Sequence, residues 1–189
     1  MKREYFSIPN LMGYFRIIII PIFLILYYNA TTSRDYFVAF FLLALSLITD
    51  LIDGFVARKF NMITDFGKAL DPFADKLTQG SLAIAVTFHY PFMIVGLLLF
   101  IVKEFYMGIM GLYLKKKYNI WNGAKWYGKI CTVIIDVCVF ALLLFRDIPT
   151  PVATIIIVFM IVCMCISLIK YISFHSSLIK EAKKSKNPM

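Results

Sequence analysis

The sequence predicts an all-α integral membrane protein: a bundle of six transmembrane helices preceded by a short N-terminal interfacial segment. Three observations lead there. Hydrophobic residues make up 61% of the 189-residue chain and charged residues only 16%, with a mean hydropathy of +0.80, a composition that no water-soluble globular domain keeps dispersed. The apolar residues fall into six runs, each close to the roughly 20 residues that cross a bilayer core. Lys and Arg concentrate in alternate connections between those runs rather than spreading evenly. Any chemistry is therefore expected inside the helical bundle or at its rim.

The elements follow in order. Residues 1–10 mix charges and aromatics and suit a segment lying on the headgroups. The first run covers residues 11–28; it is span-length and no small-residue cleavage site follows it cleanly, so it is not read as a cleaved signal. The second covers residues 36–57, the third 66–88 and the fourth 92–114. A basic loop then leads to the fifth run, 130–145, and the sixth, 152–174. Residues 180–189 read as a polar, Lys-rich, frayed tail. With no internal repeat, linker or heptad seam, residues 1–189 read as one domain.

Sidedness follows from the basic residues. One side collects Lys2, Arg3, Arg58, Lys59, Lys68, Lys115, Lys116, Lys117, Lys125 and Lys129, together with Lys180, Lys183, Lys184 and Lys186. The other has Arg34 and Arg146, each beside an acid, Asp35 or Asp147. Under the positive-inside rule both termini face the cytoplasm. The net charge of +9 therefore points to anionic lipid headgroups, and no nucleic-acid partner is expected. Cys131, Cys138, Cys163 and Cys165 all lie in apolar stretches and read as small buried hydrophobes. His89 and His175, near span ends and without ligand-spaced companions, read as interfacial.

Asp50, Asp53, Asp71 and Asp75 stand out, because they lie within or at the cytoplasmic ends of the second and third runs. A carboxylate at the centre of a spanning helix costs about 2.5–3.5 kcal/mol even on the lenient insertion scale. Asp50 and Asp53 are i, i+3 and Asp71 and Asp75 are i, i+4, so each pair shares one helix face. The short connection between the runs makes the helices antiparallel neighbours, so the two pairs can meet at similar depth as a four-carboxylate cage. Oxygen ligands of this kind suit Mg²⁺ or Mn²⁺. Two such ions about 3.5–4 Å apart would clamp the attacking and leaving oxygens of a displacement at phosphorus. Gly54, Ala57 and Gly67 would keep the groove wide, with close helix packing as the competing role for Gly67.

These residues spell a pattern: Asp50-x-x-Asp53-Gly54-x-x-Ala57-Arg58, eight positions, then Gly67-x-x-x-Asp71-x-x-x-Asp75. It resembles the signature of the CDP-alcohol phosphatidyltransferases. Its eight specified positions would coincide by chance at about 10⁻¹⁰ per start site. The resemblance extends to Ile8-Pro9-Asn10-Leu11 with Arg16, to the run from Leu70 to Lys76, and to Gly128-Lys129, and so covers essentially the whole chain.

The resemblance implies a homodimeric six-helix bundle in the bacterial cytoplasmic membrane. Its active site would open to the cytoplasm and transfer the phosphatidyl group of CDP-diacylglycerol to an alcohol, with release of CMP. By position, Asp50, Asp53, Asp71 and Asp75 would hold the two ions, Mg²⁺ or Mn²⁺, and Asp75 would also take the acceptor's proton. Asp53, Gly54, Ala57, Arg58, Thr64 and Gly67 would bind the CDP moiety, with the planar fork of Arg58 suited to phosphate.

The pattern is most like that of phosphatidylglycerophosphate synthases, which implies glycerol 3-phosphate as acceptor, with Lys103, Lys125 and Lys129 as its candidate contacts. An ion pair between Lys103 and Glu104 is the structural alternative for the first of these. Those enzymes usually carry Arg where Lys103 and Gly111 stand and Lys where Cys131 stands. Loss of these cations leaves phosphatidylglycerol open as acceptor, as in the cardiolipin synthases of the superfamily. A different-class alternative is a small divalent-cation transporter using the same acids; it is disfavoured because the acids cluster toward one face and no inverted repeat is visible. A non-catalytic scaffold would leave four costly Asp unexplained.

Overall fold

The computed structural model describes the backbone of residues 7–60, 62, 64, 66–120, 123–145 and 147–186, and the side chains of all of these except 51, 53, 54, 58 and 184–186. Among the described residues the regular structure is helical: α1 Ile8–Asn29, α2 Ser33–Lys59, α3 Gly67–Thr87, α4 Met93–Tyr118, α5 Trp126–Leu144 and α6 Thr150–Lys186. These correspond to the six expected runs. Five helices, all but α3, are long and apolar enough to cross a membrane, which makes this a multi-pass integral membrane protein. In α3 the apolar run is interrupted by Lys68, Asp71, Asp75, Lys76 and Gln79.

Both ends of the helical region differ from the sequence reading, and α2, α4 and α5 each reach up to four residues beyond an end of the expected run. Helix α1 starts at Ile8, with Pro9 in its first turn, where a missing N–H costs nothing; residues 8–10 are therefore helical, and residues 1–6 of the expected interfacial segment lie outside the described residues. Helix α6 runs on to Lys186, so the tail is helical from residue 180 to that point. Its 37 residues rise about 55 Å, well beyond a ~30 Å hydrocarbon core. The polar last turns can therefore extend into the aqueous phase while Ala and Lys sustain the helix.

The chain divides into two compact units, Met1–Phe88 and His89–Met189. In the first, α1 packs against both α2 and α3. Its buried stripe is Pro9, Asn10, Gly13, Arg16, Ile19, Phe23 and Tyr27, the three- and four-residue spacing of one helix face. Tyr27 meets Tyr36 edge-on at 5.4 Å and Phe40 at 6.0 Å, joining α1 to the start of α2. That start is fixed by a capping box: Thr32 N–H donates to Asp35 Oδ2 at 2.7 Å, and Asp35 N–H to Thr32 Oγ1 at 3.4 Å. Thr32→Ala should cost about 1 kcal/mol, lowering the thermal unfolding midpoint of the detergent-solubilised protein by about 2–4 °C.

In the second unit α6 packs against α4 and α5, burying Leu114, Leu142, Leu143, Ile157, Met160 and Met164. Helix α4 ends at Asn119, whose positive φ of 54° turns the chain, and Lys115, Lys116 and Lys117 sit in the last turn beside its exposed carbonyls. In both units large apolar side chains point outward, among them Ile18, Ile25, Phe37, Phe41, Leu112, Ile155 and Ile169, as a lipid solvent favours.

Candidate active site

The acids are organised by α1. Arg16 occupies the middle of its buried stripe and is only 2% exposed. Its Nη1 donates to Asp75 Oδ1 at 2.8 Å and also pairs with Asp50 Oδ1, while Nη2 lies 3.9 Å from Asp71 Oδ1. Asp50 comes from the C-terminal half of α2; Asp71 and Asp75 come from one face of the first turns of α3. Three carboxylates from two helices thus converge on one guanidinium from a third. A planar cation with several donors is the side chain that can serve them together.

The expected facing of the two acid pairs is met for these three members; the side chain of Asp53 lies outside the described residues. Among the described residues no three acids surround one point as a ready ion cage, and they point to Arg16 instead. The donor chemistry nevertheless fits Mg²⁺ or Mn²⁺. Every contributed atom is a hard carboxylate oxygen, and the side chains of Asp71 and Asp75 are half exposed, at 50% and 53%, so lone pairs remain accessible.

Next to the acids, the start of α3 is tied to α1. Thr64 Oγ1 accepts from the Gly67 N–H at 2.9 Å and from Asn10 Nδ2 at 3.1 Å. A Cβ on Gly67 would stand 2.7 Å from Asn10 Oδ1 and 3.0 Å from Thr64 Oγ1. Absence of a side chain at this position therefore lets α3 begin against α1, the packing role that competed with nucleotide binding. Ala57 is half-buried in the last turns of α2. Gly54 and Arg58 share that stretch of helix, and the surroundings of Gly54 and the side chain of Arg58 lie outside the described residues.

The candidate acceptor residues belong to the second unit and have separate settings. Lys103 is 4% exposed, and its Nζ is held by Glu104 Oε1 at 2.6 Å, the ion pair weighed from sequence. Lys125 precedes α5; its N–H donates to Tyr171 Oη at 3.1 Å, and its ammonium lies 4.3 Å from the Phe174 ring centroid. Lys129 is exposed. Gly128 accommodates the Tyr171 ring, which any Cβ there would strike. Cys131 is buried, and all four cysteines are free thiols. His175 is packed inside the protein, 2% exposed, its Nδ1 3.3 Å from Tyr106 Oη and its ring against Tyr171 and Phe174; the half-buried Tyr106 on α4 gives it a partner that local spacing could not reveal.

Sequence reasoning did not single out Arg16 and Asn10 as organisers of the site. The available signal was their place, three residues to either side of Gly13 on one face of an otherwise largely apolar run. A buried cation in one span and a set of acids in its neighbours imply each other.

A sequence model of the family described as CDP-alcohol phosphatidyltransferase matches residues 6–177. The chain is similar to the CDP-diacylglycerol--glycerol-3-phosphate 3-phosphatidyltransferase of Escherichia coli (strain K12), with 41% identity over 85 residues, 45% of this chain and 46% of that protein. The protein of the same name from Shigella sonnei (strain Ss046) matches with the same 41% identity over 85 residues. The matched stretch spans about half the length of these curated relatives.

Proposed function

The chain belongs to the CDP-alcohol phosphatidyltransferase family, and from that premise we propose that it is a phospholipid-synthesising enzyme that transfers the phosphatidyl group of CDP-diacylglycerol to glycerol 3-phosphate. The observation that carries this reading is the convergence of Asp50, Asp71 and Asp75 on Arg16, supported by a family match that includes all of these residues. In the reaction the acceptor's hydroxyl oxygen bonds to the phosphorus that carries diacylglycerol. The bond from that phosphorus to the bridging pyrophosphate oxygen breaks, and CMP leaves with that oxygen.

Asp75 takes the hydroxyl proton, a task for an ionised carboxylate kept in orientation by a fixed donor. Arg16 supplies that donor. Asp50, Asp53, Asp71 and Asp75 would hold Mg²⁺ or Mn²⁺, two ions in the full site, which when bound neutralise the pyrophosphate and stabilise the departing CMP. Arg58, with Asp53, Gly54, Ala57, Thr64 and Gly67, binds the CDP moiety, and Lys125 and Lys129 contact the phosphate of the acceptor. Both termini and the site face the cytoplasm, as the distribution of Lys and Arg favours, and the protein works as a homodimer in the bacterial cytoplasmic membrane.

A second acceptor has its own support. With the Lys103 ammonium already engaged by Glu104 and a buried thiol at Cys131, two of the positions expected to meet a phosphomonoester offer it no available cation, which favours phosphatidylglycerol as acceptor and cardiolipin as product. The experiment is CMP release by purified protein from CDP-diacylglycerol with Mn²⁺, offered glycerol 3-phosphate or phosphatidylglycerol. Turnover with glycerol 3-phosphate supports the first reading; turnover with phosphatidylglycerol alone replaces it by the second; turnover with neither, or equal turnover in chelator, refutes both.

A further inference from the structure

We propose that Arg16 is a built-in counter-cation of the acid cluster, holding Asp50, Asp71 and Asp75 together before a divalent ion arrives and competing with the ion for their oxygens. The inference rests on the metal-binding reading of these acids and goes beyond it. Three like charges gathered from two helices repel one another. Arg16 holds them together from a third helix, where its side chain is 3% exposed and its Cα lies on the buried stripe between Gly13 and Ile19. One nitrogen, Nη1, serves Asp50 Oδ1 and Asp75 Oδ1 together.

Those are the atoms that a divalent ion seeks. An oxygen lone pair directed at a guanidinium hydrogen is not free to bind an ion, so an ion that takes Asp50 Oδ1 or Asp75 Oδ1 must displace Arg16 from it. The fixed positive charge thereby lowers the site's affinity for the ion. A purely architectural arginine would stabilise the fold and leave ion affinity unchanged.

The test is Mn²⁺ binding, followed by the paramagnetic resonance signal of unbound Mn²⁺, to purified wild type, Arg16→Gln and Arg16→Lys in detergent without nucleotide. Removing one charge at this range should tighten Mn²⁺ binding about tenfold or more in Arg16→Gln. Arg16→Lys keeps the charge on a shorter stem without the fork and should fall between wild type and Arg16→Gln. Should Arg16→Gln fail to fold, Arg16→Lys carries the test alone, with tighter binding than wild type as the supporting result. Equal or weaker binding in the variants, with wild type binding normally, overturns the competition while leaving the metal reading intact. Failure of all three proteins to bind Mn²⁺ removes the metal reading and this inference with it.

Discussion

Asp75→Asn should reduce CMP release from CDP-diacylglycerol by about 10²–10⁴-fold or more, the range associated with loss of a positioned proton acceptor, while the protein still folds. The substitution keeps the size of the side chain and a carbonyl oxygen that can accept from Arg16 Nη1 where Asp75 Oδ1 now does, at 2.8 Å. What it removes is charge, and with charge both the ability to hold the acceptor's proton and one oxygen anion of the ion-binding set. The unfolding midpoint should move little, because repulsion from Asp50 and Asp71 is relieved as one ion pair is lost. CMP formation and the unfolding midpoint are to be measured on the same preparation. Activity within about tenfold of wild type would assign the proton to another group.

The second large effect is expected at Gly67. Gly67→Ala places a methyl 2.7 Å from Asn10 Oδ1 and 3.0 Å from Thr64 Oγ1, so the amide and the hydroxyl that join α1 to the start of α3 must part. Overpacking of this kind costs about 1–3 kcal/mol. Activity should fall as well, because Asp71 and Asp75 lie in the turns that this contact positions. Asn10→Ala in the same chain opens the space that the methyl needs. In a double-mutant cycle the pair should therefore lose less than the sum of the two single changes. Additive losses would instead mean that Gly67 acts by leaving room for nucleotide and not by admitting Asn10.

The spans were legible because apolar runs of crossing length leave little choice in a bilayer, and the breaks between them coincide with turn and cap residues such as Thr32 and Asn119. The start of α1 was harder to read, since Ile8 and Pro9 look alike as interfacial segment and as first turn. The polar end of α6 is harder still: its charge suggests a frayed tail, whereas Ala182 and its Lys neighbours favour helix.

At the site, Asp50, Asp71 and Asp75 announced themselves by cost, and the i, i+4 spacing placed the latter two on one face. The cation that gathers them did not, because pairing across three helices leaves no local spacing to read. Lys103 is the reverse case. Its neighbour Glu104 was visible as a partner, and in the second unit the 2.6 Å pair joins them, a contact that a span favours strongly over an unpaired ammonium.

We propose that these aspartates share the divalent ions around which phosphatidyl transfer occurs. The most direct test is a structure of the protein soaked with Mn²⁺ and CDP-diacylglycerol, with anomalous scattering recorded at the manganese edge. Anomalous peaks are expected within reach of Asp50, Asp53, Asp71 and Asp75, with the pyrophosphate against them and the Arg16 guanidinium turned away from at least one of its present carboxylates. Peaks elsewhere, or bound CDP-diacylglycerol with these side chains still closed on Arg16 and no manganese between them, would contradict it.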